Sequence, residues 1–279
     1  QDGWEINRDQ VTINNSVILG KGAFGMVHIG QIDTSGLLQN PTRSTIQISE
    51  LDLSEGKVAV KLLLETADEP DKMEFLREIE IMKGIGFHER LVNLVACVSK
   101  TTPYLLITEY CTNGDLLRSL RERRQYMLSL PRNVDYRTVD LSLVITQDQQ
   151  LQYAVHVACG LEYLSSQGFI HRDIAARNIL IDAKNRCKIG DFGMCRKVQE
   201  DHPLYHARGG RFPIKWMAPE SLKRYETSYA SDVWSFGILL FEIISLGGSP
   251  YPDWEPGEVL SRLDAGERMA RPDNCPDAM

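Results

Sequence analysis

The first hundred residues alternate short apolar runs with glycine-rich or polar turns, a pattern typical of β-strands. Apolar runs at 17–19 and 58–63 are rich in Val, Ile and Leu, and residues 26–31 follow the first run after a glycine-rich turn. Two further runs lie at 91–98 and 104–109. This part of the chain is therefore predicted to form a β-sheet.

One helix is predicted within this strand-rich part. Asp68 and Pro70 supply a helix start, and Gly84 supplies a stop. Glu78 is predicted to lie on a different face from the apolar stripe of this helix. The stripe, at helical spacing, comprises Phe75, Ile79 and Met82.

After Gly114 the apolar positions recur at helical spacing. A sheet-rich part followed by a helix-rich part predicts an α+β protein with two lobes and a boundary near 109–114. The polar segments 33–56 and 123–146 show neither a strand-like nor a helical pattern of apolar residues, and they are predicted to be loops. One predicted helix, closed by Gly168, carries Leu151, Val155, Ala158 and Leu161, and another carries Val233, Phe236, Leu240 and Ile244.

Composition narrows the possible functions. The 279 residues carry a formal net charge of -7, which argues against nonspecific binding to nucleic acid. Six cysteines occur without a CxxC pair, so reduced thiols are expected rather than a disulfide framework or a zinc site. No apolar stretch approaches the ~18 residues of a membrane span, and residues 1–15 are too polar for a signal peptide. The fragment is therefore expected to be soluble, without membrane contact.

The segment 171–178, His-Arg-Asp-Ile-Ala-Ala-Arg-Asn, carries the strongest chemical signal. Its acid and amide resemble the catalytic loop of protein kinases, where the acid accepts the proton of the attacking hydroxyl and the amide holds Mg²⁺. Those residues are Asp173 and Asn178. Ala175 stands where serine/threonine kinases carry Lys, and Arg177 resembles the Ala-Ala-Arg form of receptor tyrosine kinases.

A glycine-rich pattern, G-x-G-x-x-G-x-V, spans residues 20–27. Dinucleotide-binding folds share its core, but their glycines open a helix. Here another strand is predicted to follow, so the pattern lies in a hairpin whose backbone can approach the phosphates of ATP. An ordinary glycine-rich turn is the alternative for this motif taken alone.

Three further motifs follow in the order found in protein kinases. Lys61 ends the strand pattern Val-Ala-Val-Lys, and a lysine on an apolar strand needs a partner, for which Glu78 is the natural candidate. Asp191 begins Asp-Phe-Gly, and Glu220 ends Ala-Pro-Glu. Each tripeptide is weak alone, but the order and spacing of all the motifs are jointly specific.

Over essentially its whole length the chain resembles a receptor tyrosine kinase catalytic domain. Residues 4–8 resemble the juxtamembrane entry of such receptors, and residues 212–217 resemble their tyrosine-specific substrate loop. Residues 231–237 and 245–252 also fit this family.

The resemblance implies a bilobal protein kinase fold, with a small β-rich N-lobe that contains one key helix and a larger, mainly helical C-lobe. The N-lobe is expected at 1–108 with a juxtamembrane-like start at 1–12, the hinge at 109–114 and the C-lobe at 115–279. In the family further helices follow, and they contain the Arg that pairs with the residue equivalent to Glu220. The C-lobe is therefore expected to be truncated at its C-terminus.

The implied activity is transfer of the γ-phosphate of ATP to protein tyrosine, including the chain's own tyrosines, with Mg²⁺ or Mn²⁺. The implied catalytic residues are Asp173, Arg177, Asn178, Lys61 and Glu78, and the implied metal ligands are Asn178 and Asp191. The implied ATP contacts are Leu19, Gly20, Gly22, Phe24, Gly25, Val27, Ala59, Lys61, Thr108, Glu109, Cys111, Asp115 and Leu180. The implied activation segment includes Asp191, Phe192, Gly193, Arg196, Tyr205, Pro213 and Glu220, and the implied regulatory spine comprises Met82, Leu94, His171, Phe192 and Asp232.

Regulation and partners follow from the same resemblance. Tyr205 is the only tyrosine between Asp191 and Glu220 and is predicted to be the activating autophosphorylation site, with Arg172 and Arg196 as cationic partners. As part of a single-pass receptor on the cytoplasmic side of the plasma membrane, the chain is expected to act as a ligand-induced homodimer. Its expected partners are protein tyrosine substrates and phosphotyrosine-binding signalling proteins. A pseudokinase scaffold and a cytoplasmic tyrosine kinase are the alternatives.

Overall fold

A computed structural model describes residues 2–22, 25–33, 53, 56–198, 204–206 and 212–275. Phe24 and most of the predicted loop at 33–56 lie outside these residues. The chain divides into two compact units, Gln1–Thr112 and Asn113–Met279. The division falls within the segment 109–114 that was expected to link two lobes.

The first unit contains a five-stranded antiparallel sheet in the spatial order β1-β2-β3-β5-β4. Val58 and Val60 are fully buried in its core. Because side chains alternate along a strand, Ala59 and Lys61 lie on the opposite face, where they are only partly buried. The strands are β1 (Val11–Lys21), β2 (Gly25–Ile32), β3 (Lys57–Leu63), β4 (Leu94–Val98) and β5 (Leu105–Glu109).

The predicted helix of this unit is α1 (Glu69–Ile85). Its first turn is capped by Asp68, whose carboxylate accepts a hydrogen bond from the Asp71 N–H at 2.9 Å. The predicted stop at Gly84 is wrong, because α1 runs one residue past it. The helix ends at Gly86, whose φ of 77° favours glycine.

Glu78 also differs from its prediction. It is only 5% exposed and is buried together with the apolar stripe of Phe75, Ile79 and Met82. With 3.6 residues per turn, Glu78 lies beside Met82 on the helical wheel, so it borders the stripe rather than occupying another face. The Glu78 carboxylate therefore lies on the buried side of α1, next to the apolar stripe.

An N-terminal strap, residues 2–6, extends the sheet at its β4 edge. The Cys97 N–H donates to the Trp4 carbonyl at 2.8 Å, and the Ile6 N–H donates to the Cys97 carbonyl at 3.0 Å. Glu5 forms a parallel bridge with Cys97. These bonds satisfy backbone groups that an edge strand would otherwise present to solvent.

The strap also contacts α1. Asp2 forms an ion pair with Lys83 of α1 at 2.6 Å, and Lys83 pairs with Glu80 at 2.7 Å. Burial disfavours the charged form of Lys83, but its hydrogen bonds with the two carboxylates outweigh burial and raise the Lys83 pKa. The strap is thus tied to both the sheet and the helix that carries Glu78.

The second unit is mainly helical. None of the described helices is both long enough and apolar enough to cross a membrane. The helices are α2 (Leu116–Ser129), α3 (Gln147–Ser166), α4 (Pro219–Arg224), α5 (Tyr229–Ile244) and α6 (Val259–Asp264). Three two-stranded sheets pair β6 (Phe169–Ile170) with β9 (Arg196–Lys197), β7 (Ile179–Ile181) with β8 (Cys187–Ile189), and β10 (Tyr205–His206) with β11 (Glu226–Thr227).

The loop predicted at 123–146 is partly wrong, because α2 continues to Ser129. The residues between Arg123 and Ser129 are mostly strong helix formers such as Arg, Gln, Met and Leu, so helix propensity outweighs the missing apolar period. Beyond α2 the segment contains only short 3₁₀ turns at Tyr136–Thr138 and Leu141–Leu143.

Helix α3 is present as predicted, but the residues that reveal it are not those it buries. Leu151 and Val155 are 43% and 50% exposed. The helix has apolar residues on two faces, and tertiary packing selects the face that carries Tyr153 and Val157. On that face the Gln150 side chain donates a hydrogen bond to the Ile243 carbonyl of α5 at 2.9 Å.

Candidate active site

In the first unit, Lys61 and Glu78 form the predicted ion pair. Lys61 Nζ lies 2.9 Å from Glu78 Oε1 and 2.7 Å from Oε2. The side chains are 16% and 6% exposed, so both charges are largely withdrawn from water. The Lys61 ammonium is consequently held in one place on the face of β3 opposite the core, as an anion-binding group requires.

The three glycines of the glycine-rich pattern differ in the space around them. A Cβ at Gly25 would lie 2.5 Å from the Leu62 carbonyl oxygen, so the close approach of β2 to β3 requires this glycine. A Cβ at Gly20 would meet nothing within 4 Å, and one at Gly22 would make ordinary contacts only, the nearer of them to Gly25. The described packing therefore does not require glycine at positions 20 and 22.

The residues at the end of β5 are held by side-chain hydrogen bonds. Glu109 Oε1 accepts hydrogen bonds from the Asn93 backbone N–H at 2.8 Å and from its side-chain amide at 2.6 Å. Cys111 is 6% exposed, whereas Thr108 is partly exposed. The Glu109 carboxylate is therefore held by Asn93 within its own unit.

In the second unit, two residues on the predicted ATP surface are joined by backbone pairing. Asp115 and Leu180 form an antiparallel bridge. Asp115 also caps α2, since its Oδ1 accepts a hydrogen bond from the Arg118 N–H at 2.8 Å. The position of the Asp115 carboxylate is thus set by the start of a helix.

The catalytic loop holds the carboxylate of Asp173 through both of its oxygens. Arg177 forms an ion pair with Oδ1. The Asn178 amide Nδ2 donates to Oδ2 at 2.7 Å and to the Asp173 carbonyl at 2.7 Å. Three of the predicted catalytic residues are therefore brought together with the acidic group oriented by two neighbours.

His171 contacts the backbone on both sides through its two ring nitrogens. Nε2 lies 2.9 Å from the Gly190 carbonyl, and Nδ1 lies 3.3 Å from the Asp173 N–H. A carbonyl can only accept, so Nε2 carries the proton and Nδ1 accepts, which corresponds to the neutral imidazole. The ring also meets Phe192 edge to face, with centroids 5.5 Å apart.

Asp232 of α5 anchors the start of the loop. Its Oδ2 accepts a hydrogen bond from the His171 N–H at 2.7 Å, and its Oδ1 accepts one from the Arg172 N–H at 2.9 Å. Arg172 has a φ of 72°, a conformation that L-residues rarely adopt, so these bonds hold the backbone in an unfavourable geometry. Burial raises the pKa of Asp232, and the attraction of His171 and the hydrogen bonds from the loop act against that shift.

These contacts join the second-unit members of the predicted regulatory spine, His171, Phe192 and Asp232. The two first-unit members, Met82 and Leu94, are 5% and 4% exposed. Their role as a spine stays a prediction.

The oxygen donors predicted to hold a metal suit a hard divalent cation. Asn178 uses its amide nitrogen toward Asp173, so its oxygen is the atom that can act as a ligand. Asp191 is exposed, has a left-handed backbone with a φ of 54°, and accepts a hydrogen bond from the Gly193 N–H at 3.4 Å. Carboxylate and amide oxygens are the ligands that Mg²⁺ and Mn²⁺ prefer.

Tyr205 lies against two arginines. The Arg172 guanidinium is 4.6 Å from the centre of the Tyr205 ring, and that of Arg196 is 5.6 Å from it. Arg196 Nε also donates to the Tyr205 hydroxyl at 3.4 Å. Burial and the neighbouring Arg196 lower the pKa of Arg172, whose Nε is buried without a hydrogen-bond partner among the described residues. Two guanidinium groups therefore lie close to the Tyr205 ring.

The remaining predicted activation-segment residues are placed as follows. Pro213 precedes a 3₁₀ turn, Ile214–Trp216, and Glu220 lies in the first turn of α4. Glu220 forms no ion pair with any residue that the structure describes.

The sequence did not indicate Glu242, a buried acid of α5. One of its oxygens, Oε2, accepts hydrogen bonds from the Ala176 N–H at 2.9 Å and from Trp216 Nε1 at 3.0 Å. The Trp216 ring in turn lies 4.7 Å from the Arg177 guanidinium. A signal was available, because Glu242 is a lone acid within the apolar run Leu-Leu-Phe-Glu-Ile-Ile.

Comparisons with known proteins agree with this geometry. The family model described as protein tyrosine and serine/threonine kinase matches residues 13–279. The chain is 39% identical over 99% of its length to a Caenorhabditis elegans protein described as a tyrosine-protein kinase, and covers 32% of that protein. It is 39% identical over 98% of its length to fibroblast growth factor receptor homolog 2 of Drosophila melanogaster, covering 25% of it.

Fibroblast growth factor receptor 1 of Pleurodeles waltl is 38% identical over 98% of the chain, which covers 31% of that receptor. The chain thus spans about a quarter to a third of the length of these curated relatives. The family match extends over both compact units and includes the motifs from the glycine-rich pattern to Glu220, whereas residues 4–8 lie outside it. The chain belongs to the protein tyrosine and serine/threonine kinase family, and its fold is the mixed α+β kinase fold.

Proposed function

We propose that the chain transfers the γ-phosphoryl group of ATP to tyrosine residues of proteins, including its own. The observation that carries this proposal is the orientation of the Asp173 carboxylate by Arg177 and Asn178. Tyrosine rather than serine or threonine is supported by Ala175, by the contact between Arg177 and Trp216, and by the names of the relatives.

In the proposed reaction, Asp173 accepts the proton of the tyrosine hydroxyl as the phenolic oxygen forms its bond to the γ-phosphorus. The bond from that phosphorus to the oxygen bridging the β-phosphate breaks, and its electron pair leaves on ADP. Arg177 and Asn178 keep Asp173 oriented toward the hydroxyl. Lys61, held by Glu78, binds phosphate oxygens, and the open glycines let the backbone approach them.

Asn178 and Asp191 are the residues that we propose to hold Mg²⁺ or Mn²⁺. The bound cation would neutralise charge on the phosphates. In the structure, Asn178 already contacts Asp173, so the amide links the metal-binding role to the acid that accepts the proton.

The test is transfer to a poly-Glu-Tyr substrate. Asp173→Asn should lower the rate by roughly 10²- to 10⁴-fold and leave ATP affinity unchanged, because only the proton acceptor is lost. Asp253→Asn, a change of an exposed acid, is the control. Phosphoamino-acid analysis of the autophosphorylated chain should give phosphotyrosine. Near-wild-type transfer by the Asp173 variant, or a dominant phosphoserine signal, would contradict the proposal.

We also propose that the chain is the catalytic part of a single-pass receptor on the cytoplasmic side of the plasma membrane. The relatives named as fibroblast growth factor receptors support this setting, as does the juxtamembrane-like segment with Trp4. A ligand-induced homodimer and phosphotyrosine-binding partners follow from it. The full gene should encode an apolar segment of ~20 residues before this chain, and its absence would favour a cytoplasmic kinase.

Phosphorylation of Tyr205 is the proposed activating event. Arg172 and Arg196 already contact the ring, and they repel one another in a partly buried setting. A phosphate would bring about -1.5 to -2 charge and strong acceptor oxygens to these cations. The phosphate oxygens would thereby accept charge-assisted hydrogen bonds from both arginines and hold β10 in one arrangement.

A further inference from the structure

Glu242 connects two segments that the proposed reaction uses. It is 1% exposed on α5, and the hydrogen bonds to its Oε2 come from the catalytic loop, through Ala176, and from the predicted substrate loop, through Trp216. A single oxygen atom thus accepts hydrogen bonds from both of these segments.

Two routes lead from Glu242 to Asp173. In the first, Oε2 fixes the Ala176 N–H, which immediately precedes Arg177 along the chain. In the second, Oε2 fixes the Trp216 indole, whose ring lies 4.7 Å from the Arg177 guanidinium. Both routes end at Arg177, and Arg177 forms the ion pair with Asp173.

A purely structural role explains Glu242 poorly. Burial raises the pKa of Glu242, against the hydrogen bonds from Trp216 and Ala176 and the attraction of Arg177 and Arg121. A buried acid of this kind is costly for folding, and an apolar side chain of similar volume often serves stability as well or better. Its position at the junction of two functional segments points to a role in the reaction instead.

We propose that Glu242 is a positioning residue that sets the orientation of Arg177, and through it of Asp173, toward the acceptor tyrosine. The inference rests on the proposed kinase function. Glu242 does not touch the reacting atoms, so its loss should affect the use of the tyrosine substrate and not the binding of ATP.

Two substitutions separate acceptor geometry from charge. Glu242→Gln keeps one amide oxygen that can accept both hydrogen bonds, because both now go to the single atom Oε2. Glu242→Met keeps the side-chain volume and removes both acceptors. The matched control is Gln150→Met, which removes a buried bond between α3 and the α5 carbonyl of Ile243 without touching the catalytic loop.

The measurements are kcat and KM for a tyrosine peptide, KM for ATP, and Tm of the whole chain. Glu242→Met should lower kcat/KM for the peptide by roughly tenfold to a hundredfold, with KM for ATP within about twofold of wild type. Glu242→Gln should recover most of the peptide activity. Gln150→Met should lower Tm at least as much as Glu242→Met, with unchanged peptide kinetics for the folded protein.

A double-mutant cycle tests the route through the indole. Trp216→Phe keeps an aromatic face for Arg177 and removes the Nε1 donor. If Glu242 acts through this donor, Trp216→Phe should lower peptide kcat/KM in the wild-type background and change it less than twofold in the Glu242→Met background.

The outcomes also separate this inference from the kinase proposal. A wild-type chain that fails to phosphorylate tyrosine defeats the proposed function. An active wild type with unchanged peptide kinetics in Glu242→Met defeats the positioning role alone. Equal rises in KM for peptide and ATP would also overturn it, because they signal general distortion. No recovery by Glu242→Gln would overturn it as well, because the charge of Glu242 and not its hydrogen-bond acceptor would then be what matters.

Discussion

The two compact units hold their functional residues by different means. In the first unit, Lys61 is held by a bond between two side chains, the ion pair with Glu78. In the second unit, the catalytic loop is held by carboxylates of α5 that accept hydrogen bonds from backbone N–H groups, with Asp232 bound at the start of the loop and Glu242 at Ala176.

This difference determines what each arrangement can do. A contact between two long side chains can break and re-form when a helix such as α1 shifts, without loss of the sheet. Backbone N–H groups cannot leave their buried acceptors without unfolding the loop. We therefore expect the Lys61–Glu78 pair to be adjustable and the backbone of the catalytic loop to be fixed once the second unit folds.

The largest effect should come from Asp232→Asn. Its carboxylate offers one oxygen to each of two buried N–H groups, whereas an amide offers only one acceptor and turns its NH₂ toward the other donor. The free energy of unfolding should fall by about 3 kcal/mol, and tyrosine phosphorylation should be lost.

Urea unfolding of the whole chain measures the effect of Asp232→Asn. Asp253→Asn, at an exposed position, should change the free energy of unfolding by less than about 0.5 kcal/mol. If the free energy of unfolding of the Asp232 variant decreases by less than about 1 kcal/mol, the loop does not depend on this anchor.

Lys61→Met should abolish phosphoryl transfer at a smaller cost in stability, about 1–3 kcal/mol, because it leaves the buried Glu78 carboxylate without its partner. The double variant Lys61→Met/Glu78→Leu should recover stability, since an apolar pair replaces the ion pair, and should stay inactive.

Thermal unfolding and the transfer assay together test this separation. Lys72→Met, which breaks an exposed pair with Glu69 on the same helix, should leave both measurements unchanged. Recovery of activity in the Lys61/Glu78 double variant would mean that neither residue contacts the phosphates.

Tyr205→Phe should act only on regulation. Phe keeps the ring that Arg172 and Arg196 contact and removes the hydroxyl that phosphate would modify. After preincubation with ATP, the wild-type rate should rise several-fold, because the phosphate can form about one to three new charge-assisted hydrogen bonds. The rate of the variant should not rise.

This activation is measured as the lag phase of the transfer assay. Tyr136→Phe is the matched control, because Tyr136 is 76% exposed and lies outside the activation segment. Identical rates and lags in wild type and Tyr205→Phe would refute the switch.

The smallest effect concerns the N-terminal strap. Burial raises the pKa of Asp2, but the hydrogen bonds from Lys83 and the Trp4 N–H, together with the attraction of Lys83 and Lys100, outweigh burial and lower the pKa from 3.8. The contribution of Asp2 to stability is therefore fully present above pH 3.8 and is lost as the pH falls through the lower pKa of the folded chain. At neutral pH, Asp2→Asn should cost no more than about 1 kcal/mol, because the ion pair is partly exposed.

Tm measured for wild type and Asp2→Asn across this pH range provides the check. The difference should shrink toward zero as the solution becomes acidic. A difference that stays constant with pH would mean that the Asp2 charge does not stabilise the strap, and Asp9→Asn gives the background for an exposed acid.

Much of the fold followed from local patterns. The strands of the first unit, the Asp68 cap and the helices α3 and α5 were predicted, because alternation, capping residues and helical periodicity are properties of short segments. Other features were misjudged. The continuation of α2 to Ser129 was missed because its exposed turns carry no apolar period.

In the candidate site, too, some features could be predicted from the sequence and others could not. The positions of Lys61, Glu78, Asp173 and Asn178 in the chain could be recognised from motifs, and the structure places them in two local contacts, Lys61 with Glu78 and Asp173 with Asn178. Their catalytic roles stay predictions. The connection from Glu242 to Arg177 could not be predicted, because it joins segments that are far apart in sequence through a shared oxygen atom.

The sequence by itself determined the order of the motifs and the type of most elements, since these depend on residues within a few turns of one another. Only the tertiary structure decided which faces are buried and which groups meet. Helix α3 has apolar residues on two faces, so packing against α5 rather than periodicity chose Val157 over Val155 for the core. Likewise a lone acid in an apolar helix is uninformative until folding brings Ala176 and Trp216 to Glu242, because hydrogen bonds between distant segments leave no periodic trace in the chain.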